Sequence, residues 1–502
     1  PTMDLSALTR LSPSLSAPWL EHHAILPLSV AGGRARVATW REVEEVDESA
    51  LDDLALAFDA DVELVRLPEQ EVRRAIRRVY GDESTAQGVI DAMEPGATGG
   101  EAGQAIDDLL VLANEAPVVK LVNLLLVEAL GARASDVHLE SYVDGPRVRY
   151  RVDGVLQDAP SPPPQLAAAV VSRLKIMADL DIAERRLPQD GRIRLRLQDR
   201  TVDVRVSTVP TLHGESVVLR LLDKERGRIS LEELGMAPET LARFREVVSR
   251  PHGIVLATGP TGSGKTTTLY AAVELLRTGR EKILTVEDPV EYELPGVPQV
   301  PVNEKLGVTF ATALRALLRQ DPDVMLVGEI RDPETAEIAT QAALTGHLVL
   351  STLHTNDAPS ALTRLRELGV APYLVSSTVE AVLAQRLVRT LCGHCRTSAP
   401  PTAEELRLLG LTRDELPAVA RATGCAECRG AGYRGRVGVY ELLVVTDAIR
   451  AAVLAGAATG ELRRLAMEAG MRTLRDDGHR LVATGVTTSE EVLRSLGHAQ
   501  AS

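Results

Sequence analysis

Eight consecutive residues, Gly259-Pro260-Thr261-Gly262-Ser263-Gly264-Lys265-Thr266, constrain this chain more than any other feature. They fit the phosphate-loop pattern G-x-x-x-x-G-K-[ST] at every position. The apolar run Ile254-Val255-Leu256-Ala257 precedes them, as a buried strand would. Thr267 to Leu276 follows, with Leu269, Val273 and Leu276 on one helical face. A strand, a glycine loop and a helix N-terminus form an anion cradle, because backbone N–H groups and the positive end of the helix dipole converge on phosphate. The pattern predicts nucleotide binding, with Lys265 reaching the β- and γ-phosphates, the Thr266 hydroxyl on Mg2+, and Thr267 beside it in the first helical turn. A chance match in a glycine-rich turn would lack these flanks.

What the nucleotide drives is narrowed by composition. The 502 residues leave room for three or four domains. Aromatics are scarce (Phe 3, Trp 2, Tyr 8) and the net charge is −14, so stacking platforms and a basic surface for nucleic acid are both wanting. No apolar run approaches the ~20 residues of a membrane span. The N-terminal stretch lacks the basic start and apolar core of a secretory signal. The expectation is a cytoplasmic protein that reaches a membrane only through partners.

The four cysteines, Cys392, Cys395, Cys425 and Cys428, form two C-x-x-C pairs with 29 residues between them. In a cytosolic chain this reads as a four-cysteine zinc site, the alternative being four structural or redox thiols. Thiolates two residues apart grip one tetrahedral ion from a tight turn, and Gly393 and Gly424 suit such turns.

Along the chain, residues 1–80 read as a small α/β docking module, with a strand at Arg34 to Ala38 and a basic amphipathic helix at Glu69 to Tyr80. Residues 81–104 lose periodicity and become glycine-rich, as a flexible linker does. Residues 105–223 predict a second α/β domain: helices from Pro117 to Leu130 and from Leu166 to Leu180, and alternating strands with one arginine-rich face. A charged connector, 224–232, leads to the phosphate-loop domain, 233–390. A zinc module, 391–440, and a helical region, 441–502, complete the chain.

In the phosphate-loop domain the acids fall at the ends of apolar runs. Lys282 to Val286 ends in Glu287-Asp288, Val324 to Val327 in Gly328-Glu329, and Leu348 to Leu353 in His354. Parallel α/β sheets bind ligands beyond the carboxyl ends of their strands, so these groups are expected to share a crevice with the phosphates. Glu329 stands where an acid serving Mg2+ belongs, one position after the usual aspartate, which here is Gly328. Glu287, Glu291 and Glu329 are competing candidates for polarising the attacking water. His347 and His354 are candidate γ-phosphate contacts.

Several stretches carry a family resemblance: Ala134-Ser-Asp-Val-His-Leu-Glu140, Leu187-Pro-Gln-Asp-Gly-Arg192, Asp203-Val-Arg-Val-Ser207, Thr285-Val-Glu-Asp-Pro-Val-Glu291, Val327-Gly-Glu-Ile-Arg-Asp332, the Leu344 to Asn356 segment with its two histidines, and Ala384-Gln-Arg-Leu-Val-Arg389. With Gly259 to Thr266 they resemble the type II secretion ATPases, the GspE family of secretion motors, densely from about 130 to 440. The resemblance implies a multidomain α/β fold: a RecA-like ATPase core, a PAS-like α/β domain before it, an N-terminal docking module and a zinc module held by the four cysteines. It implies a homohexamer using ATP, Mg2+ and Zn2+ at the bacterial inner membrane. There the N-terminal module would bind the cytoplasmic domain of the platform protein GspL, with GspF a further partner. Asp288 would belong to an Asp box, Glu329 would be the Walker B acid, and His347 and His354 would form a His box. Arg205 and Arg220 would be arginine fingers assisted by Arg315 and Arg319.

The expected function is a mechanical ATPase driving pseudopilus assembly and protein export. A PilB-type pilus assembly motor is the close alternative. A nucleic-acid-binding protein with an ATP switch is the alternative of another class. From Gln385 to Arg436 nine arginines face only five acids, a modest excess that fits a folded zinc staple better.

Overall fold

Strands apolar on both faces have to be covered from both sides, and alternation decides which residue goes to which side. The computed structural model describes residues 8, 11–12, 15, 17–42, 45–80, 86–92, 116–197, 200–223, 229–414 and 416–497. It divides into two compact units, one up to Leu222 and one from Asp223.

In the first unit, β1 (Ile25–Ala31), β2 (Arg34–Thr39) and β3 (Asp61–Arg66) form a small sheet, antiparallel then parallel. Helices Glu48–Phe58 and Glu69–Tyr80 bury Leu54 and Ile76 among Leu20, Ile25, Leu26 and Val37. Part of the expected linker is ordered. Ala86–Ala92 is helical and buries Ala86 and Val89 in one cluster with Val118 and Leu121. Residues 81–85 and 93–104 lie outside the described residues.

Six more strands follow: β4 (Ala134–Tyr142), β5 (Gly145–Val152), β6 (Val155–Ala159), β7 (Gln189–Leu197), β8 (Arg200–Thr211) and β9 (Gly214–Asp223). Their order is β6-β5-β4-β9-β8-β7. One face carries Val137, Leu139, Val148, Tyr150, Val204, Val206, Val217 and Leu219 against the helices Ala116–Gly131 and Ala167–Met177. The other face carries the alternating residues, including Asp136, Arg149, Arg151, Arg192, Arg205 and Arg220.

The second unit is built on β10 (Gly253–Thr258), β11 (Ile283–Glu287), β12 (Gln299–Pro301), β13 (Val324–Val327), β14 (Leu348–Leu353), β15 (Val379–Leu391) and β18 (Tyr433–Val444). The order is β12-β11-β13-β14-β10-β15-β18, with only β18 antiparallel to its neighbour. Val255, Ala257, Leu326, Leu350 and Leu383 face Phe244 of helix Pro238–Val248 and Leu269 and Val273 of helix Lys265–Leu276. Ile254, Leu256, Met325, Val327, Val349 and Val382 face the opposite layer, which includes helices Phe310–Leu317, Pro333–Leu344 and Ala358–Glu367.

The boundaries drawn at 390 and 440 fall inside strands. β15 runs on to Leu391 and β18 ends only at Val444, so the four cysteines sit at the far end of an antiparallel pair that is part of the main sheet. A two-stranded ribbon, β16 (Thr397–Ala399) with β17 (Val419–Arg421), lies between the cysteine pairs in sequence. Ile449, Val453 and Leu462 from the helical region belong to the same core as the sheet.

Candidate active site

The parallel register fixes what stands beside the glycine loop. Thr258, the last residue of β10, pairs with Leu353 on one side and Ala384 on the other. Gly259 therefore leaves the sheet between His354-Thr355-Asn356 and Gln385-Arg386. Two strands away, β13 delivers Gly328 and Glu329 to the same edge.

The loop needs its glycines. Gly259 has φ 148°, and a Cβ there would lie 2.5 Å from the Gln385 carbonyl and 2.7 Å from Ser263 Oγ. Gly264 takes the left-handed conformation, φ 89°, as N-cap of the helix from Lys265. Gln385 Nε2 donates to the Ser263 carbonyl at 2.7 Å and pins the loop from β15. Pro260, Thr261 and Gly262 are exposed, and Thr266 and Thr267 are half-buried in the first helical turn.

Lys265 folds back on its own loop: Nζ donates to the carbonyls of Gly259 at 2.8 Å and Pro260 at 3.0 Å. Burial lowers its pKa to about 8, with the Glu329 carboxylate pulling upward and the Arg386 charge pushing further down. These couplings place lysine, arginine and glutamate in one electrostatic neighbourhood.

Glu329 is buried with a 2.5 Å ion pair from Oε1 to Arg331. Its Oε2 lies 3.4 Å from His354 Nε2, close enough for an ion pair but without hydrogen-bond geometry. The carboxylate thus keeps one oxygen unsaturated. At Gly328, where an aspartate is usual, a Cβ would fit tightly, 3.3 Å from the Val286 carbonyl and 3.4 Å from Glu287 Cα and the Phe310 ring. Asp288 is exposed at the carboxyl end of β11.

Glu287 is placed differently from the expectation of a catalytic base. It is 3% exposed and both oxygens are taken. Tyr270 donates to Oε2, while Thr285 Oγ1 at 2.5 Å and Gln299 Nε2 at 3.0 Å donate to Oε1. A carboxylate held by three donors, three strands from β10 in the sheet, locks Tyr270 of the loop's helix to the sheet. It is not free to polarise a water here.

His347 also departs from its assignment. It precedes β14, whereas His354 follows it, so a six-residue strand separates the two. At about 3.3 Å per residue the pair stand roughly 20 Å apart on opposite edges of the sheet. His347 Nδ1 lies 2.9 Å from the Ala342 carbonyl, its carbonyl accepts from Gly253 N at 3.1 Å, and it stands at the end of β14 opposite to the one beside the glycine loop.

Arg315 pairs with Glu334 at 2.7 Å, and Arg319 donates to the Arg315 carbonyl at 2.9 Å. Arg315 belongs to helix Phe310–Leu317, which packs against β11 and β13, and Arg319 to the turn that follows it. In the first unit, Arg205 and Arg220 line one concavity of about 520 Å3 with Asp190, Arg192 and Ser207. Arg220 Nε donates to Asp136 at 2.9 Å and its side chain is still 57% exposed. Arg192, opposite Arg205 in the β7–β8 register, is a member of this cluster that sequence reasoning gave no role.

The cysteines converge. Sγ distances are 3.9 Å for Cys392–Cys425, 3.8 Å for Cys395–Cys428 and 3.7 Å for Cys425–Cys428. Four thiolates around Zn2+ at about 2.3 Å stand about 3.8 Å apart, so the donor set fits a tetrahedral ion, and all four thiols are free. Burial disfavours the Cys428 thiolate, but N–H groups of Cys425 and Gly432, each 3.2 Å from Sγ, outweigh it and lower its pKa. Cys425→Ser is expected to lose the bound zinc. Metal analysis of the purified variant checks this, and a full zinc equivalent overturns the site.

Comparison with known proteins gives two family matches: "Type II/IV secretion system protein" over residues 111–494 and "MshEN domain" over residues 2–86. The chain is 53% identical over 441 residues to the type II secretion system protein HxcR of Pseudomonas aeruginosa, covering 87% of this chain and 89% of that one. It is 46% identical over 489 residues to the type II secretion system ATPase E of Vibrio cholerae, covering 93% and 96%. The type IV pilus assembly ATPase PilB of Myxococcus xanthus matches at 45% over 479 residues, covering 94% and 84%. Among solved structures, the pilus retraction motor PilT with bound ADP matches with TM-score 0.50 and 26% identity, covering 74% of this chain and 95% of that one.

Proposed function

This chain belongs to the Type II/IV secretion system protein family, and from that membership we propose that it is the MgATP-hydrolysing motor of a type II secretion system, driving pseudopilus assembly and protein export. The observation that carries the reading is the meeting of Gly259 to Thr266, Glu329 and His354 at the carboxyl ends of β10, β13 and β14.

The chemistry follows from those groups. The loop's N–H groups and Lys265 bind and orient the phosphates. Glu329, with one free oxygen, orients the attacking water and accepts its proton, and His354 steadies that carboxylate. Thr266 and, through a water, Glu329 would hold Mg2+, which offsets charge on the β- and γ-oxygens. The four cysteines would hold Zn2+ as a structural staple. The first unit's arginine face supplies what the loop lacks. Arg205 and Arg220 act as fingers on a phosphate held by another part of a homohexameric ring, with Arg315 and Arg319 assisting. Guanidinium groups there offset the charge that develops in phosphoryl transfer.

The six-stranded domain is the PAS-like domain, and the N-terminal module docks on an inner-membrane platform such as GspL, with GspF beside it. No helix among the described residues is long and apolar enough to cross a membrane. Pilus assembly is the second reading, favoured by the PilB match; the genes flanking this one decide between the two machines. Nucleic-acid binding is disfavoured because arginines around the cysteines are spent on carboxylates: Arg389 on Glu491, Arg421 on Glu405, Arg434 on Glu427.

The test is ATPase rate against protein concentration for wild type and Arg220→Ala. Per-chain activity should rise with concentration and fall about tenfold or more in the variant. Concentration-independent turnover insensitive to Arg220 sinks the ring mechanism.

A further inference from the structure

The glycine loop is bordered by a cation that the mechanism above does not use. Arg386 lies two residues beyond the last β10–β15 pair, Thr258 with Ala384, and its guanidinium reaches back across the start of the loop. Nη1 would lie 3.1 Å from a Cβ at Gly259 and donates to the Gln385 carbonyl at 3.2 Å. Nη2 reaches over to β14's end and donates to the Asn356 carbonyl at 3.2 Å and to Asn356 Oδ1 at 3.3 Å. All of these acceptors are neutral. Among the described residues Arg386 makes no ion pair within 4 Å, unlike Arg389 three residues on, which is held by Glu491 at 2.7 Å.

We propose that Arg386 is a second in-chain cation for the nucleotide's phosphates, acting beside Lys265 and tying the occupied loop to Asn356 in the His354–Asn356 segment. The inference rests on the ATPase reading above. Its warrant is charge balance in a confined place. Lys265 and Arg386 both border the loop; the anion acting on Lys265 is Glu329, which is already shared with Arg331. Burial penalises the Arg386 cation, with only the more distant Asp357 and Glu441 charges in its favour. A phosphate oxygen at the loop would give both cations a charged partner. A planar guanidinium with five donors in a fixed fork can hold Asn356 along one edge and a phosphate along another. Arg386 would thereby report occupancy of the loop to the segment that carries His354.

The experiment measures MgATP, MgADP and AMP affinities of the full-length protein for wild type, Arg386→Gln and Arg386→Lys, with zinc content and thermal unfolding of the nucleotide-free proteins alongside. Arg386→Gln should weaken MgATP and MgADP about tenfold or more while AMP changes less than about twofold, because a charged hydrogen bond to phosphate is lost. Arg386→Lys should recover part of that loss. MgATP affinity of Arg386→Gln within about twofold of wild type overturns the proposal. So does an AMP loss as large as the ATP loss, which would mark a residue that only shapes the loop. Wild-type protein that binds no MgATP at all would instead overturn the ATPase reading.

Discussion

Lys265→Ala abolishes ATP turnover: the residual rate should fall below about a hundredth of wild type. The lysine is the only residue of the glycine loop that brings a full positive charge, and it stands at the first position of the helix, where the dipole adds to it. Nζ rests on the carbonyls of Gly259 and Pro260, two neutral acceptors that a phosphate would replace with charged ones. The exchange strengthens in the transition state as charge moves onto the bridging and terminal oxygens. Alanine removes only two hydrogen bonds to the loop's own carbonyls, so the fold should survive. Near-normal activity in a folded variant would sink the assignment. A second measurement reads the same group. With its pKa at about 8, Lys265 loses its proton as pH rises through that value, while phosphate favours the charged form. Nucleotide affinity should therefore decline between about pH 7 and 9, with proton uptake on binding in that window. By the same sign, the nucleotide-free fold gains stability as pH rises from about 8 toward the ordinary lysine value, because the unfolded chain holds the extra proton there.

The parts of this site that could be read in the sequence are those set by local pattern. Apolar runs ending in a glycine loop, in Glu329 and in His354 place three groups at the carboxyl ends of parallel strands, and the structure has them there. The cysteines were legible because ligand spacing is itself a local rule. What failed was neighbourhood along a strand. The Leu344 to Asn356 segment reads as one motif, yet β14 lies between its histidines and carries them to opposite edges. Glu287 resembles His354 in sequence, an ionisable group at a strand end. Its partners Tyr270 and Gln299 come from 17 residues before and 12 residues after, so nothing local announces that both its oxygens are filled. The limits of the zinc segment follow the cysteine pattern, whereas β15 and β18 continue through them as one antiparallel pair. Gln385 and Arg386 belong to a recognisable stretch, but polar residues inside an apolar strand carry no chemical signature until the loop they touch is placed.

Glu329→Gln separates binding from chemistry, and it does so because of what surrounds this carboxylate. The amide keeps the shape and can still meet His354 or Arg331, but it cannot accept a proton from water and brings no negative charge. Hydrolysis should fall by ~10²–10³-fold, the range expected when a general base or a charged transition-state contact is removed. ATP affinity should hold or improve. The variant deletes the carboxylate that pulls Lys265 toward its charged form, so the lysine is left with the nucleotide as its counter-charge. Equilibrium binding of a fluorescent ATP analogue and single-turnover hydrolysis, measured on the same preparation, make the comparison. If binding and hydrolysis fall together, Glu329 holds the metal or the loop rather than the water. The attacking water must then be oriented by another acid, and Glu291 rather than Glu287 is next, since Glu287 would first have to give up Tyr270, Thr285 and Gln299. If hydrolysis alone is lost, the Glu329 carboxylate is the group that acts on the water.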